Sequence, residues 1–336
     1  MLIIVEGSDG AGKSTLVRRI ETYLRETDPH STIDIQHFGP PKSHPLKEYE
    51  SPLFRYRPST GRHVICDRHF VGEWVYPNIF GRMTLADDAM WHHILAFLTS
   101  RGAVITHVDP SDDVITKRIV RRGDMMISPE QTLIAAHRFR EVLSTITTIP
   151  VVRYVSGSPT AFQTLLDQAQ QQEHDMSDLN GLVTYIGPRH PTYLLLGDVR
   201  HHLRDGVTHP YALWDMSPPF SPYRGTSGHF LFSHIPADIM PLCGFANACD
   251  VDNVKIMRRV LGNPITVAMG QRANKALYRT YGGDWSGNMI PHPQYIRRFH
   301  HSRGEDYGIF IEKTLTGQTS DQFLSGDWMN DEEVGE

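Results

Sequence analysis

Residues 7–15, with the sequence GSDGAGKST, have the residue types and the spacing of a phosphate-binding loop. They match the pattern G-x-x-x-x-G-K-[ST], in which glycines let successive backbone amides turn toward phosphate oxygens. The amino group of Lys13 would reach the β- and γ-phosphates, and the hydroxyl of Ser14 would bind Mg²⁺. We therefore expect this segment to bind ATP together with Mg²⁺.

The flanking sequence supplies the strand and the helix that such a loop connects. Residues 2–5 form an apolar run typical of a buried strand, and residues 16–20 have the apolar spacing of a helix. The alternative is a glycine-rich turn that binds nothing. The residues expected to bind the cofactor are Gly7, Asp9, Gly10, Gly12, Lys13, Ser14 and Thr15.

A second polar cluster follows the apolar residues 63–66, which we predict to form another strand. Asp67 would hold Mg²⁺ directly or through water, because a carboxylate is a preferred magnesium ligand. Arg68 would bind an acceptor phosphate through its planar guanidinium group. A structural ion pair at the strand end is the alternative interpretation.

A third cluster, residues 117–124, ends a predicted helix with three arginines and a glycine. Arg118, Arg121 and Arg122 are spaced so that two or three of them could converge on one patch, and Gly123 would let the segment close as a lid. Such arginines neutralise the charge of a phosphoryl group during its transfer. A solvated basic helix end is the alternative.

The elements needed to position these clusters alternate along the first half of the chain. Short apolar strands separated by helices predict an α/β fold, in which a parallel sheet has helices on both faces. The polar clusters follow the strands, so they would lie at the carboxyl ends of the strands, where such folds bind ligands. The strands are expected near residues 2–5, 32–38, 63–67, 103–109 and 151–155, and the later helices near residues 85–100, 111–121, 129–146 and 159–172.

The three clusters together resemble those of the thymidylate-kinase-like P-loop kinases, in particular the divergent phage-type nucleotide kinases. The likeness covers about residues 1–172 and includes residues 72–76, GEWVY, after Asp67-Arg68-His69. It implies that Asp9 lies near the acceptor sugar, that Asp67 and Arg68 serve the metal and the acceptor phosphate, and that the lid arginines meet ATP. The catalytic residues implied are Lys13, Asp67, Arg68, Arg118 and Arg122, and the metal ligands are Ser14 and Asp67.

The acceptor is less well defined by this resemblance. Residues 37–41 and 72–76 differ from those of thymidylate kinases proper. Phe38, Trp74 and Tyr76 could stack on a base, and each could equally belong to the core or to the wall of a pocket.

A second domain, residues 182–315, is expected after a polar linker at residues 173–181. Its apolar strands end in glycine or small polar residues, as a second α/β sheet with a ligand cleft requires. From about residue 182 to 302 the order of these pieces resembles the uracil-DNA glycosylase superfamily. The resemblance implies that Phe220 stacks on a base, that Asn247 reads its edge and that His292 faces the bond to the sugar.

The sequence departs from that superfamily at the catalytic loop, because residues 197–200 lack the family's proline-containing turn. We therefore interpret the domain as a base- or DNA-binding module rather than a glycosylase. A divergent domain that only forms a homodimer or supports the kinase is the alternative. A basic patch that could meet DNA phosphates consists of Arg297, Arg298, His300, His301 and Arg303.

Composition agrees with two domains that act in a reducing cytoplasm. The chain has 336 residues, and its three cysteines fit neither a disulfide framework nor a zinc site. The net charge of −5 comes from the acidic tail, residues 316–336, of which residues 321–336 hold six acids and no base. No apolar run is long enough to span a bilayer, so we expect no membrane association. The phage-type resemblance implies a phage-encoded protein in a bacterial host.

Three functions remain open at this point. In the first, the protein transfers the γ-phosphate of ATP to a free pyrimidine deoxynucleotide, and the second domain is accessory. In the second, it phosphorylates a hydroxymethylated pyrimidine, such as 5-hydroxymethyluracil, within DNA during phage DNA modification. In the third, it excises bases as a glycosylase with a regulatory nucleotide domain.

Overall fold

The computed structural model describes residues 1–42, 45–54, 56–84, 86–123, 127–182, 185–197, 220, 226–247, 251–285, 288–300 and 303–318. The contacts divide the chain into two compact units. Unit 1 consists of Met1–Ala86 and Leu98–Asn180, and unit 2 consists of Asp87–Phe97 and Gly181–Glu336. Most of the predicted acidic tail, residues 319–336, lies outside the described residues.

Strands and helices alternate through the first 176 residues. In chain order these elements are β1 (Leu2–Glu6), α1 (Lys13–Thr27), β2 (Thr32–His37), α2 (Pro45–Glu50), β3 (Arg62–Asp67), α3 (Gly72–Phe80), α4 (Asp88–Ser100), β4 (Ala103–Val108), α5 (Asp112–Arg122), α6 (Pro129–Ser144), β5 (Val151–Tyr154) and α7 (Pro159–Met176).

The five strands of unit 1 form one parallel sheet in the order β2-β3-β1-β4-β5. Every residue of β1 is buried, because strands at the centre of such a sheet are covered on both faces, and all of its residues except the last, Glu6, are apolar. Leu16 and Ile20 of α1 and Leu165 of α7 pack with Ile3 and Val5 of β1 in the main hydrophobic cluster. The α/β prediction and the five strand positions are confirmed.

The segment predicted as a linker is instead helical. Helix α7 continues to Met176, and Ser177–Gly181 form a 3-10 helix. The polar side chains have partners on the outer surface of the helix, since Gln171 donates a hydrogen bond of 2.7 Å to Asp175 one turn later. Glu173 accepts one of 2.7 Å from the amino terminus, and Met176 is buried. A polar run therefore marks the exposed face of this helix.

Unit 2 contains a second parallel sheet, with the strand order β7-β6-β8-β9. The prediction of a second α/β sheet is confirmed, whereas the glycosylase-like type stays a prediction. Of the predicted catalytic loop, residues 198–200 lie outside the described residues. The elements are β6 (Tyr193–Gly197), α8 (Ser227–His234), β7 (Cys243–Asn247), α9 (Val251–Val260), β8 (Ile265–Met269), α10 (Gln271–Tyr281), β9 (Met289–Ile290), α11 (Pro293–Phe299) and α12 (Gly304–Leu315).

Residues 87–97, most of helix α4, group with unit 2 rather than with the sheet that precedes them in sequence. Asp87 lies 3.1 Å from Nε2 of His229, and the ring of His93 contacts Phe232 edge-on at 5.2 Å. The carbonyl of Ala96 accepts a hydrogen bond from the amide of Gly187. Unit 2 is therefore built from two separate stretches of the chain.

In the described part of the chain, no helix combines the length and the apolar character needed to cross a membrane.

Candidate active site

The loop between β1 and α1 has a backbone that only glycine can follow at two positions. Gly7 has a φ of 144°, and a Cβ there would lie 2.6 Å from the carbonyl oxygen of Val108. Gly12 has a φ of 109° and caps the amino end of α1. The loop can thus curve closely around a ligand while the positive end of the α1 dipole lies beside it. This geometry fits an anion such as a phosphate.

Lys13 is buried inside the loop that it follows. Its Nζ donates hydrogen bonds to the carbonyl oxygens of Gly7 at 2.9 Å and Ser8 at 2.7 Å. Burial lowers the pKa of Lys13 to about 8, and the nearby guanidinium of Arg68 contributes to the decrease. The two backbone carbonyls hold the amino group of Lys13 inside the loop, where it can meet a phosphate.

Ser14 and Asp67 form a pair of oxygen donors beside this loop. The Ser14 hydroxyl donates a hydrogen bond of 3.3 Å to Oδ2 of Asp67. Oδ1 of Asp67 is buried and has no hydrogen-bond partner among the described residues. A hydroxyl and a carboxylate oxygen suit Mg²⁺, which takes few protein ligands and completes its shell with phosphates and water. In the described residues no cluster of three acidic, histidine or cysteine side chains offers an all-protein metal site.

His37 also borders Asp67, with Nδ1 3.3 Å from Oδ2 of that carboxylate. We did not identify this histidine from the sequence. The available signal was its place at the end of a strand, because parallel pairing aligns His37 of β2 with Asp67 of β3.

Arg68 is bound to Asp9 and Tyr76 at the mouth of the loop. Its guanidinium donates hydrogen bonds to the Asp9 carboxylate and, at 3.1 Å, to the Tyr76 hydroxyl, which in turn donates to Asp9 at 3.2 Å. Burial works to raise the pKa of Asp9, but the charges of Arg68 and Lys13 outweigh it, so the pKa is lowered. The structure thus brings together the acid of the phosphate loop and the arginine of the second strand end.

The backbone of Arg68 lies in the left-handed region, with a φ of 69°. Three contacts hold this turn, since the Arg68 amide donates to the Val5 carbonyl, the Phe38 amide donates to the Asp67 carbonyl, and the His69 amide donates to Oε1 of Glu6 at 2.8 Å. Non-glycine residues adopt such a φ at a cost of about 1 kcal/mol. The Glu6 carboxyl therefore helps to fix the direction of Arg68.

Glu6 itself is fully buried beside Lys13 and Arg68. Burial raises its pKa to about 7, although Arg68 and the His69 amide act in the opposite direction. Sequence reasoning missed this residue. The signal was present, because an acid at the end of an otherwise apolar central strand is unusual.

A cavity of about 260 Å³ opens next to Arg68. Its wall combines aromatic rings, backbone and five acidic or basic side chains. Two of these form an ion pair, in which Arg82 donates hydrogen bonds of 3.0 and 2.6 Å to the two carboxylate oxygens of the buried Glu73. The lining residues are Glu6, Asp9, His37, Phe38, Gly39, Pro40, Tyr49, Arg68, His69, Gly72, Glu73, Tyr76, Phe80 and Arg82.

Two of the three aromatic residues proposed to meet a base, Phe38 and Tyr76, line this cavity. Trp74 does not; its ring packs edge-on against Phe70 at 6.0 Å. Tyr49 and Phe80 are aromatic wall residues that sequence reasoning missed, because they reach the cavity from elements whose placement depends on the tertiary fold.

The two lid arginines differ in position. Arg118 donates hydrogen bonds from Nη1 to the carbonyl oxygens of Ala11 at 2.7 Å and Gly10 at 3.2 Å, so it lies against the phosphate loop. Arg122 is exposed in the last turn of α5 and forms no hydrogen bond or ion pair with the described residues. The residue after Gly123, Asp124, lies outside the described residues. The role of Arg122 toward ATP stays a prediction.

In unit 2, Phe220 and Asn247 lie together at the carboxyl end of β6. A Cβ on Gly197 would meet Cζ of Phe220 at 2.9 Å and Oδ1 of Asn247 at 3.4 Å. The Phe220 ring packs edge-on against Phe245 at 6.1 Å. Asn247 is buried at the end of β7, where it is the ladder partner of Gly197. The aromatic ring of Phe220 and the amide group of Asn247 thus both lie next to Gly197.

His292 lies at the same edge of the sheet, after β9. Its Cβ would be 2.8 Å from a Cβ on Gly270, and its Nδ1 accepts a hydrogen bond of 3.2 Å from the amide of Gln294 at the start of α11.

The predicted basic patch is partly neutralised. Arg303 pairs with Asp306 at 3.0 Å, and the His300 ring packs against Tyr295 at 5.3 Å. Arg297 and Arg298 occupy the last turn of α11, and His301 lies outside the described residues.

No protein-family model and no curated protein matches the chain. Three solved structures that are similar to it each align with about half of its length. The YorR protein of Bacillus subtilis, in complex with phosphorylated GDP, is 20% identical, with 52% of this chain and 98% of that chain covered and a TM-score of 0.40. Deoxyadenosine kinase from M. mycoides with bound dCTP is 16% identical, with 51% and 100% covered and a TM-score of 0.32. Polyphosphate Kinase 2 from Arthrobacter aurescens TC1 is 19% identical, with 54% and 68% covered and a TM-score of 0.34.

Proposed function

We propose that unit 1 transfers the γ-phosphate of Mg·ATP to a pyrimidine deoxynucleotide. The observation that carries this proposal is that Lys13, the Ser14–Asp67 oxygen pair and an aromatic cavity adjoin one glycine loop. A purely structural loop would need neither a buried lysine nor a carboxylate oxygen without a partner.

Each side chain of the donor half has a role that its position supports. Lys13 and Arg118 both lie against the loop, where they would neutralise charge on the transferring group. Ser14 and Asp67 would hold Mg²⁺, which supplies charge neutralisation between the phosphates when it is bound.

The acceptor half is the cavity beside Arg68. Phe38 and Tyr76 offer aromatic surface to a planar base, and Asp9 offers a carboxylate to a sugar hydroxyl. The Arg68 guanidinium would bind the acceptor phosphate as a planar fork. A deoxynucleoside monophosphate is the ligand class that uses all three groups.

The experiment compares acceptors with radiolabelled ATP as donor. The whole protein is given the pyrimidine deoxynucleoside monophosphates in turn, and separately DNA that contains 5-hydroxymethyluracil. Label in a diphosphate product supports the free-nucleotide acceptor. Label in the DNA alone would instead establish the hydroxymethylated base as the acceptor, and label in neither would refute a pyrimidine acceptor.

Two variants with a matched control separate the roles. Asp67→Asn should slow transfer to every acceptor, whereas Arg68→Ala should mainly weaken an acceptor that carries a phosphate. Arg25→Ala is the control, because Arg25 is exposed and pairs with Glu21 on its own helix, away from the phosphate loop. Equal KM values for a monophosphate in the Arg68 and Arg25 variants would contradict the role of Arg68.

We infer a second function, base binding by unit 2, from the arrangement around Gly197. Phe220 and Asn247 converge there, and a buried side-chain amide can donate and accept hydrogen bonds at the edge of a base. Asn247→Ala should weaken the binding of DNA with an extrahelical pyrimidine by about 5- to 150-fold while ATP turnover is kept. An unchanged dissociation constant would exclude this function.

A further inference from the structure

Helix α10 of unit 2 borders an open groove that neither proposed function uses. The groove has a volume of about 430 Å³. Basic and aromatic side chains form its wall: Asn274, Lys275, Tyr278, Arg279 and Trp285.

The outer face of α10 carries a row of positive charges. Arg272, Lys275 and Arg279 are exposed and recur at intervals of three and four residues, so they lie on one side of the helix. Ala273 and Leu277 are buried on the other side. No ion pair to Lys275 or Arg279 occurs among the side chains that the structure describes. Lys275 and Arg279 are therefore exposed cations without an ion-pair partner in the part of the chain that the structure describes.

The sequence around the groove has the opposite charge balance to the whole chain. Residues 251–285 contain six Lys and Arg and two Asp, an excess of four positive charges, in a protein of net charge −5. Lys255 and Arg258 lie over the ring of Tyr281 at the end of α10, at 5.5 and 5.3 Å from its centroid. A local excess of this kind attracts a polyanion.

Aromatic rings provide the second half of the recognition chemistry. Tyr278 is 62% exposed despite its large aromatic ring, and it lies between Lys275 and Arg279 along the helix. Trp285 is held in place, because its Nε1 donates a hydrogen bond of 2.6 Å to Oδ1 of Asn274. An exposed ring flanked by cations is the arrangement on which bases stack while their phosphates meet the charges.

We propose that this groove binds single-stranded nucleic acid, with a base stacked on Tyr278 and adjacent phosphates on Lys275 and Arg279. A single strand fits better than a duplex, since the faces of paired bases are covered by their neighbours in the stack and unavailable to Tyr278. The site is separate from the phosphate loop and from the Gly197 region in sequence and chemistry, so it does not depend on either proposed function.

The test measures fluorescence anisotropy of the whole protein with labelled oligothymidylate and oligouridylate of about 16 nucleotides. Tyr278→Ala should weaken binding by about 5- to 150-fold, whereas Tyr278→Phe, which keeps the ring, should bind as the parent does. In Lys275→Ala/Arg279→Ala, the slope of log K against log salt should decrease in magnitude by about 1.4, because each lost phosphate contact removes about 0.7.

The matched control removes two exposed cations from unit 1, Arg25→Ala/Lys117→Ala, and so gives the same net charge. Binding equal to that of Lys275→Ala/Arg279→Ala would overturn the proposal, because it would reflect net charge alone. Two other results would overturn it as well: tighter binding to a duplex without an effect of Tyr278, or no measurable binding by the parent. Thermal melting followed by circular dichroism confirms that each variant is folded.

Discussion

Replacing Glu6 by glutamine should make the stability of the protein less sensitive to pH. Burial raises the pKa of Glu6 from the usual 4.5 to about 7. A raised pKa means that the protonated carboxyl stabilises the fold below pH 4.5 and that this stability is lost as the pH rises through 7. Glutamine has the shape of the protonated acid but does not titrate, so it should avoid the loss.

The magnitude follows from the difference between 4.5 and about 7. At 1.36 kcal/mol for each factor of ten in proton affinity, ionisation of Glu6 costs the folded state about 3 kcal/mol. Most of this, about 2.5 kcal/mol, falls between pH 5 and pH 8. The free energy of unfolding of Glu6→Gln, minus that of the parent, should increase by that amount over this interval.

Urea denaturation at pH 5 and pH 8 measures the difference, with exposed Glu130→Gln as the control that should show no such increase. A constant difference between parent and Glu6→Gln would refute the buried, protonated carboxyl. Glu6→Ala tests the second role, because alanine leaves the buried amide of His69 without its acceptor. We expect Glu6→Ala to weaken the binding of the acceptor by Arg68, and Glu6→Gln to leave that binding unchanged.

Three further substitutions test other parts of the molecule. Lys13→Met should lower the turnover of ATP by about 100-fold or more while the circular dichroism spectrum is unchanged, and near-normal turnover would refute the phosphate site. Gly197→Ala would bring a Cβ within 2.9 Å of Phe220, so it should displace the ring and lower the melting temperature of the protein, which calorimetry would detect. Burial lowers the pKa of His69 to about 3, so its contribution to stability is complete above pH 6.5 and is lost as the pH decreases toward 3. Over that interval the free energy of unfolding of His69→Gln, measured by urea denaturation, should decrease by about 1.4 kcal/mol less per pH unit than that of the parent. Equal decreases in the two proteins would contradict a neutral buried imidazole.

The local chemistry of unit 1 could be predicted because it depends on residues that are close in sequence. The phosphate loop needs glycines at fixed intervals before Lys13 and Ser14, and its flanking elements follow from hydrophobic periodicity. The placement of Asp67 beside Ser14 also followed, since carboxyl ends of parallel strands meet at one edge of the sheet.

The acceptor cavity could not be predicted in the same way. The Glu73–Arg82 pair joins residues on either side of the end of α3, and Tyr49 reaches the wall from a helix whose direction no local pattern specifies. The polar run indicates a helix end and then a linker, but the point where α7 ends could not be predicted because polarity alone does not distinguish a solvated helix face from a loop. In such places tertiary packing determines the result.

The membership of Asp87–Phe97 in unit 2 affects how the protein can be divided. Eleven residues in the interior of the amino-terminal half have their partners, such as Phe232, more than a hundred positions further along the chain. A fragment that ends at Asn180 would keep these residues and lose partners such as Phe232, against which the buried ring of His93 packs. No single cleavage of the polypeptide yields two intact units, so point substitutions in the whole chain are the appropriate way to assign an activity to either one.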